Sequence, residues 1–169
     1  MNSALAVVLA VLIDPRIADQ IPFFTRTISQ VPHRLQKIGA PGAALILDDA
    51  YNSNEMGFIS AVTAMSKLAN QRGGRRILVT PGIAELGLEH ERVHRRLGSF
   101  SAENCDVIYV VNPARIIGFL DAARSGRAKI VEVPTFRDAR IVIAKDLKQE
   151  DVVLYENDLP DLLEERRLL

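Results

Sequence analysis

The 169-residue chain is 48% hydrophobic and 25% charged, the proportions of a soluble globular protein with material for one sizeable core. Lys plus Arg and Asp plus Glu stand at 21 each, for a formal net charge of zero. That balance argues against a nucleic-acid surface and against a polybasic membrane anchor. The single cysteine, Cys105, cannot staple a fold and fits a reducing compartment.

The chain opens with an apolar run, Ala4 to Ile13, stopped by Asp14-Pro15. The run is too short to span a bilayer. It lacks the preceding basic residues and following small-residue cleavage site of a signal peptide. It predicts a helix from Ser3 to Ile13 that is buried or meant to pack on something else. Pro15 to about Ile28 predicts a second helix, with Pro15 tolerated in its first turn and Pro22 as a break. Val31-Pro32 should be extended. Arg34–Ile38 and Ala43–Leu47 then read as two strands of a hairpin around the turn cluster Gly39-Ala40-Pro41-Gly42.

From there helices and strands alternate. Helices are expected at Met56–Ala69 (inner face Phe58, Val62, Met65, Ala69), Leu88–Ala102 (Val93, Leu97, Phe100), Ala114–Arg124 and Phe136–Leu147 (Phe136, Ala139, Ile143, Leu147). Strands are expected at Ile77–Thr80, Val107–Val111, Ile130–Val133 and Val152–Tyr155. Short, wholly apolar strands separated by helices imply a Rossmann-like α/β fold. It has a mostly parallel sheet of about six strands, one antiparallel strand from the initial hairpin, and helices on both faces. Ligands of such sheets bind outside the carboxyl ends of the strands. This directs attention to the loops Asp48–Asn54, Pro81–Gly87, Asn112–Pro113, Pro134–Thr135 and Glu156–Pro160.

Asp48-Asp49-Ala50-Tyr51-Asn52-Ser53-Asn54 packs two carboxylates, a phenol and two carboxamides into seven residues. Carboxylates accept from ribose hydroxyls and carboxamides can read a base edge. Plain helix capping by Asn52, Ser53 or Asn54, with Glu55 in the first turn, explains the same residues. In the loop Thr80 to Gly87, Glu85 either meets a ligand's ammonium group or is merely solvated. No Gly-Lys-Ser/Thr occurs in the chain, so it carries no phosphate loop. His90-Glu91-Arg92-Val93-His94 matches the zinc-hydrolase pattern H-E-x-x-H. Against zinc stand the lack of a third ligand other than His33 and the cations Arg92, Arg95 and Arg96; the competing expectation is a partly exposed helix in which Glu89 and Glu91 pair with those arginines. Tyr155 to Asp161 either meets a substrate or a partner domain or is an ordinary solvated exit.

Taken in order, these segments resemble the C-terminal domain of the Mur ligase family, in particular its D-alanyl-D-alanine-adding (MurF) type. The segments that carry the resemblance are Pro32-His33-Arg34-Leu35-Gln36, Asp48 to Asn54, Thr80 to Gly87, His94-Arg95-Arg96-Leu97-Gly98 and Asp151 to Asn157. The resemblance spans about residues 31 to 158, and residues 1–30 resemble the last helices of the family's central ATPase domain. It therefore implies a helical remnant at 1–30 followed by a Rossmann-like domain at 31–169.

The resemblance implies a cytoplasmic ATP- and Mg-dependent amide ligase of peptidoglycan precursor synthesis. In such an enzyme the C-terminal domain closes over ATP held by the central domain. An acyl phosphate forms on the UDP-muramoyl peptide and is attacked by the incoming D-alanyl-D-alanine. By resemblance Arg34 and Asp49 contact the nucleotide, Asn52 and Asn54 lie beside it, and Tyr51 and Glu85 lie toward the substrate. No catalytic residue or metal ligand is assigned to this chain. The implied partners are the ATPase and UDP-binding domains and the UDP-muramoyl peptide and dipeptide substrates. Neither nucleic acid nor membrane is expected as a partner, and an exposed first helix would favour a homodimer. Thr80-Pro81-Gly82 and Glu156-Asn157-Asp158 depart from the family's Gly-Asp-Met and Lys-Gly-Ser. Without the ATPase domain's phosphate loop, magnesium-binding acids and carbamylated lysine, these residues alone should not activate a carboxylate. A free-standing, non-catalytic module that binds a nucleotide or a protein is the alternative.

Overall fold

The computed structural model describes residues 3–27, 31–51 and 53–157. The chain divides into two compact units, Met1–Gln30 and Val31–Leu169. In the first, helix α1 (Ser3–Ile13) is followed by a 3₁₀ turn, Pro15–Gln20, and helix α2 (Ile21–Thr27). Asp14 caps the 3₁₀ turn by accepting the Arg16 N–H at 3.0 Å. The single helix expected from Pro15 to Ile28 is thus two pieces. The junction falls before Ile21, so Pro22 sits in a first turn, where its missing N–H is no loss; Ile28 lies outside the described residues. Val8, Leu9, Leu12, Ile13, Phe23 and Phe24 are exposed in this unit.

The second unit begins with a turn where a strand was expected. Arg34 N–H donates to the Val31 carbonyl at 3.2 Å, and His33 and Leu35 have φ of 58° and 50°. Both angles lie outside the β region. Strand β1 is therefore only Gln36–Ile38. The hairpin turn closes through Ala43 N–H to the Ala40 carbonyl, which moves β2 on from Ala43–Leu47 to Leu45–Asp49. The antiparallel register pairs Gln36 with Asp48 and Ile38 with Ile46.

The remaining elements are α3 (Glu55–Arg72), β3 (Arg76–Thr80), α4 (His90–Asn104), β4 (Val107–Val111), α5 (Ile117–Arg124), β5 (Lys129–Val133), α6 (Phe136–Ala144) and β6 (Val152–Glu156). Short 3₁₀ turns, Gly87–Glu89 and Pro113–Arg115, precede α4 and α5, so both helices start later than the apolar pattern suggests. Helix α3 is the best specified. Asn54 caps it by accepting the Gly57 N–H, and Gly73 ends it at φ 68°, a conformation glycine adopts without strain. Helix α6 stops at Ala144, and Leu147 packs against the core from beyond it.

The six strands form one sheet in the order β1-β2-β6-β3-β4-β5. Every pairing except β1 with β2 is parallel. Alternate residues face opposite sides of the sheet. On one side Leu47, Leu78, Ile108, Val110, Val152 and Leu154 pack with Phe58, Val62, Leu97 and Phe119 from α3, α4 and α5. On the other, Ile77, Val79, Tyr109, Val111, Val133 and Val153 pack with Ala139 and Ile143 of α6. Among the described residues the two faces are thus covered unequally, by three helices and by one.

Oppositely charged groups hold the amino ends of the strands together. Asp151, buried just before β6, accepts from the Arg75 backbone at 3.0 Å, the Arg75 guanidinium at 2.7 Å and the Lys148 backbone at 2.8 Å. Arg75 also reaches Asp146 at 2.6 Å. Arg76 pairs with Asp106, before β4, at 2.5 Å.

Candidate functional site

At the carboxyl ends, β2 runs into the loop Asp48–Asn54. Asp49 is half-buried and accepts the Leu35 N–H through Oδ1 at 2.8 Å, a contact that the left-handed turn at Leu35 makes possible. Asp48 accepts from Ala50 N–H at 3.1 Å and lies 2.9 Å from His33 Nδ1. Tyr51 N–H donates to the His33 carbonyl at 3.2 Å. The Arg34 guanidinium lies 4.0 Å from the centre of the exposed Tyr51 ring, a cation–π arrangement. The turn before β1 and the loop after β2 therefore form one surface carrying Arg34, Asp49 and Tyr51.

Not every candidate joins that surface. Asn54 points its Oδ1 at the Gly57 N–H at 2.9 Å, so its carboxamide oxygen serves the helix. Asn52 lies outside the described residues. Glu85 is exposed on the loop after β3, at φ 61°.

At the exit of β6, Glu156 and Asn157 are enclosed, and residues 158–161 lie outside the described residues. Glu156 is 0% exposed and Asn157 is buried with φ 63°. Asn157 Oδ1 accepts the Ser53 N–H at 3.2 Å, Asn157 Nδ2 donates to the Gly82 carbonyl at 2.5 Å, and Asn157 N–H donates to the Asp49 carbonyl at 3.1 Å. One side chain and its backbone thus join the loops after β2 and β3. Glu156 is the direct neighbour of Asp49 across the parallel pair. Burial, followed by the Asp49 charge, pushes its carboxyl up to about 8. Burial also raises Asp49, against the Leu35 hydrogen bond that lowers it. Sequence reasoning singled out this segment for its acids. It missed the burial, because acids past a strand end ordinarily face water.

The H-E-x-x-H pair is structural. His94 is fully buried, with Nε2 accepting the Ile83 N–H at 3.1 Å and Nδ1 donating to the His90 carbonyl at 2.8 Å. Burial pushes it down to about 4, so it is a neutral clamp on the loop after β3. His90 Nε2 meets the Arg115 carbonyl at 2.9 Å. Both rings thus have protein partners in place of zinc. His94 is also more deeply buried than a partly exposed helix implies. The expected ion pairs form for Arg92–Glu89 and Arg95–Glu91, whereas Arg96 pairs with Glu55. Among the described residues no group of three or more His, Cys, Asp or Glu could hold a metal ion, and no helix is long and apolar enough to cross a membrane.

Known proteins place this arrangement. The family model for the Mur ligase, glutamate ligase domain, matches residues 33–155. The UDP-N-acetylmuramoyl-tripeptide–D-alanyl-D-alanine ligase of Escherichia coli (strain K12) is 35% identical over 80 residues, covering 47% of this chain and 17% of that protein. Among solved structures, the MurF ligase of Thermotoga maritima in complex with ADP aligns with TM-score 0.64 and 23% identity over 78% of this chain and 28% of its own. MurF from Acinetobacter baumannii aligns with TM-score 0.61 and 21% identity over 83% of this chain and 31% of its own. The chain spans less than a third of the length of each of these relatives. The structural likeness shows the fold, and the family match over residues 33–155, most of the second unit, shows that the chain belongs to the Mur ligase, glutamate ligase domain family.

Proposed function

We propose that residues 31–169 act as the C-terminal domain of a cytoplasmic, ATP-dependent amide ligase of peptidoglycan precursor synthesis. In this reading they close over ATP and help bind an incoming D-alanyl-D-alanine, and residues 1–30 belong to the end of the ATPase domain. The observation that carries the proposal is the shared surface of Arg34, Asp49 and Tyr51 at the carboxyl end of β2, the position at which parallel sheets bind ligands. Asp49 commits one oxygen to Leu35, and a carboxylate has further lone pairs with which to accept from ribose hydroxyls. The exposed Arg34 guanidinium suits anionic oxygens, and Tyr51 offers a ring face. These residues fit a nucleotide. Bound ATP would supply the phosphoryl group that activates a carboxylate, with Mg and most phosphate contacts provided by the ATPase domain. This chain's own residues would orient the nucleotide and exclude water from one side. Alone, the chain should not catalyse ligation.

Titrating isotope-labelled protein with Mg-ATP and following backbone amides by NMR tests this. Shifts confined to Arg34, Asp48–Tyr51 and Asn54 are expected, even at weak affinity. Their absence both alone and with a separately supplied ATPase domain would sink the nucleotide role and leave the non-catalytic module, with a different ligand, as the surviving account.

A further inference from the structure

Glu156 and Asp49 are register partners at the ends of adjacent parallel strands, which lie about 4.8 Å apart. Glu156 is 0% exposed, and neither of its carboxylate oxygens has a partner in hydrogen-bonding geometry among the described residues; the Ser53 hydroxyl, which bears on it, donates to the Asn54 carbonyl at 3.2 Å instead. A buried, ionised carboxylate without a donor is among the costliest arrangements in a protein interior. The groups acting on the pair are few. Asp49 and Ser53 act on Glu156, while Leu35 N–H, Arg34 and Asp48 act on Asp49. Among the described residues no cation forms an ion pair with Glu156. One proton resolves the conflict. Asp49 is half-buried and already has a donor in Leu35, so it takes the charge, and the fully enclosed Glu156 takes the proton.

We propose that Glu156 is a positioning residue for Asp49: it remains protonated at neutral pH and donates its O–H to the Asp49 carboxylate, so that two donors, Glu156 and Leu35 N–H, fix the orientation of the acid at the candidate nucleotide surface. Ionising Glu156 removes one donor and sets two anions side by side. The Asp49 carboxylate then loses its fixed orientation. The proton pair stands on the apo geometry; the significance of Asp49 for a nucleotide rests on the function proposed above.

The test uses the full labelled chain without nucleotide. The side-chain carboxyl carbons of Glu156 and Asp49 and the Leu35 amide are followed by NMR from pH 5 to 10. Glu156 should titrate near 8, with the Leu35 amide moving at the same midpoint. Asp49→Asn should bring the Glu156 midpoint down. Glu156→Gln retains an N–H donor, so the Leu35 amide should keep its neutral-pH shift and cease to titrate in this range, whereas Glu156→Leu should displace it at every pH. A Glu156 midpoint in the usual carboxylate range of about 4 to 5, or Gln and Leu variants alike at Leu35, would overturn the proposal, and the wild-type titration decides even if a variant fails to fold. Mg-ATP added at pH 7 and 9.5 separates the two readings. An intact titration with no nucleotide shifts at either pH removes only the nucleotide role.

Discussion

The two ends of the sheet are built on opposite electrostatic rules. At the amino ends the acids meet arginines: buried Asp151 and exposed Asp146 meet Arg75, and half-buried Asp106 meets Arg76. At the carboxyl ends Asp49 meets Glu156, acid against acid, with Asp48 adjacent. The first arrangement stabilises the fold and leaves nothing to do. The second is held by backbone donors and a proton, and it leaves an acceptor on a surface. A parallel sheet separates the two tasks in this way because all its strands leave the core at the same end.

Breaking the amino end should have the largest effect. Asp151→Ala leaves the Arg75 and Lys148 N–H groups without their acceptor and the partly enclosed Arg75 guanidinium with Asp146 alone. It should destabilise the protein by about 3 kcal/mol, measured as a shift of the urea midpoint at unchanged slope. At the other end, Asn157→Ala removes the side-chain bonds to Ser53 and Gly82 and places a Cβ residue other than Asn at positive φ. It should cost about 2 kcal/mol. Asn157→Gly loses the same bonds without the strain and should cost less, so equal effects would mean that the backbone angle carries no weight.

Acid sharpens the contrast further. His94 is held below the ordinary imidazole value, at about 4, so the folded state binds fewer protons there than the unfolded chain. Its contribution is complete above about pH 6.5 and is lost as pH falls through about 4. Glu156 has the opposite sign: it is raised to about 8, so its contribution is complete below the unfolded carboxylate value and is lost as pH rises through 8. Denaturation midpoints across pH should therefore fall on the acid side in wild type but less in His94→Gln, and fall on the alkaline side in wild type but not in Glu156→Gln. The smallest effect on stability belongs to Arg34→Ala. Its guanidinium is exposed over Tyr51, and its loss should cost under about 1 kcal/mol while abolishing the nucleotide-induced amide shifts of the neighbouring loop.

The sheet and its helices were legible in the chain because their signals are local. Apolar runs such as Val107–Val111 are read off directly, and the Phe58, Val62, Met65, Ala69 stripe marks the buried face of α3. The Asp48–Asn54 segment stood out as a candidate site for the same reason, since its polar density exceeds what a turn needs. Short-range pattern did not reveal the left-handed turn at His33 and Leu35, because the bonds from the Leu35 N–H to Asp49 and from the Tyr51 N–H to the His33 carbonyl tie it to a loop 14 or more residues away. Nor did it reveal the capping role of Asn54 against a ligand role, since both use the same carboxamide.

The sequence by itself determined the order of elements, the parallel sheet with its antiparallel first strand, and which loops lie at the carboxyl ends of the strands, because periodicity and turn chemistry are written residue by residue. Only the tertiary structure decided that the His90 and His94 rings engage the protein's own backbone, that Asn157 bonds to the loops after β2 and β3, and that Glu156 is enclosed beside Asp49. Those outcomes depend on which strand ends become neighbours, and the β2-β6-β3 order places residues about a hundred positions apart within hydrogen-bonding reach.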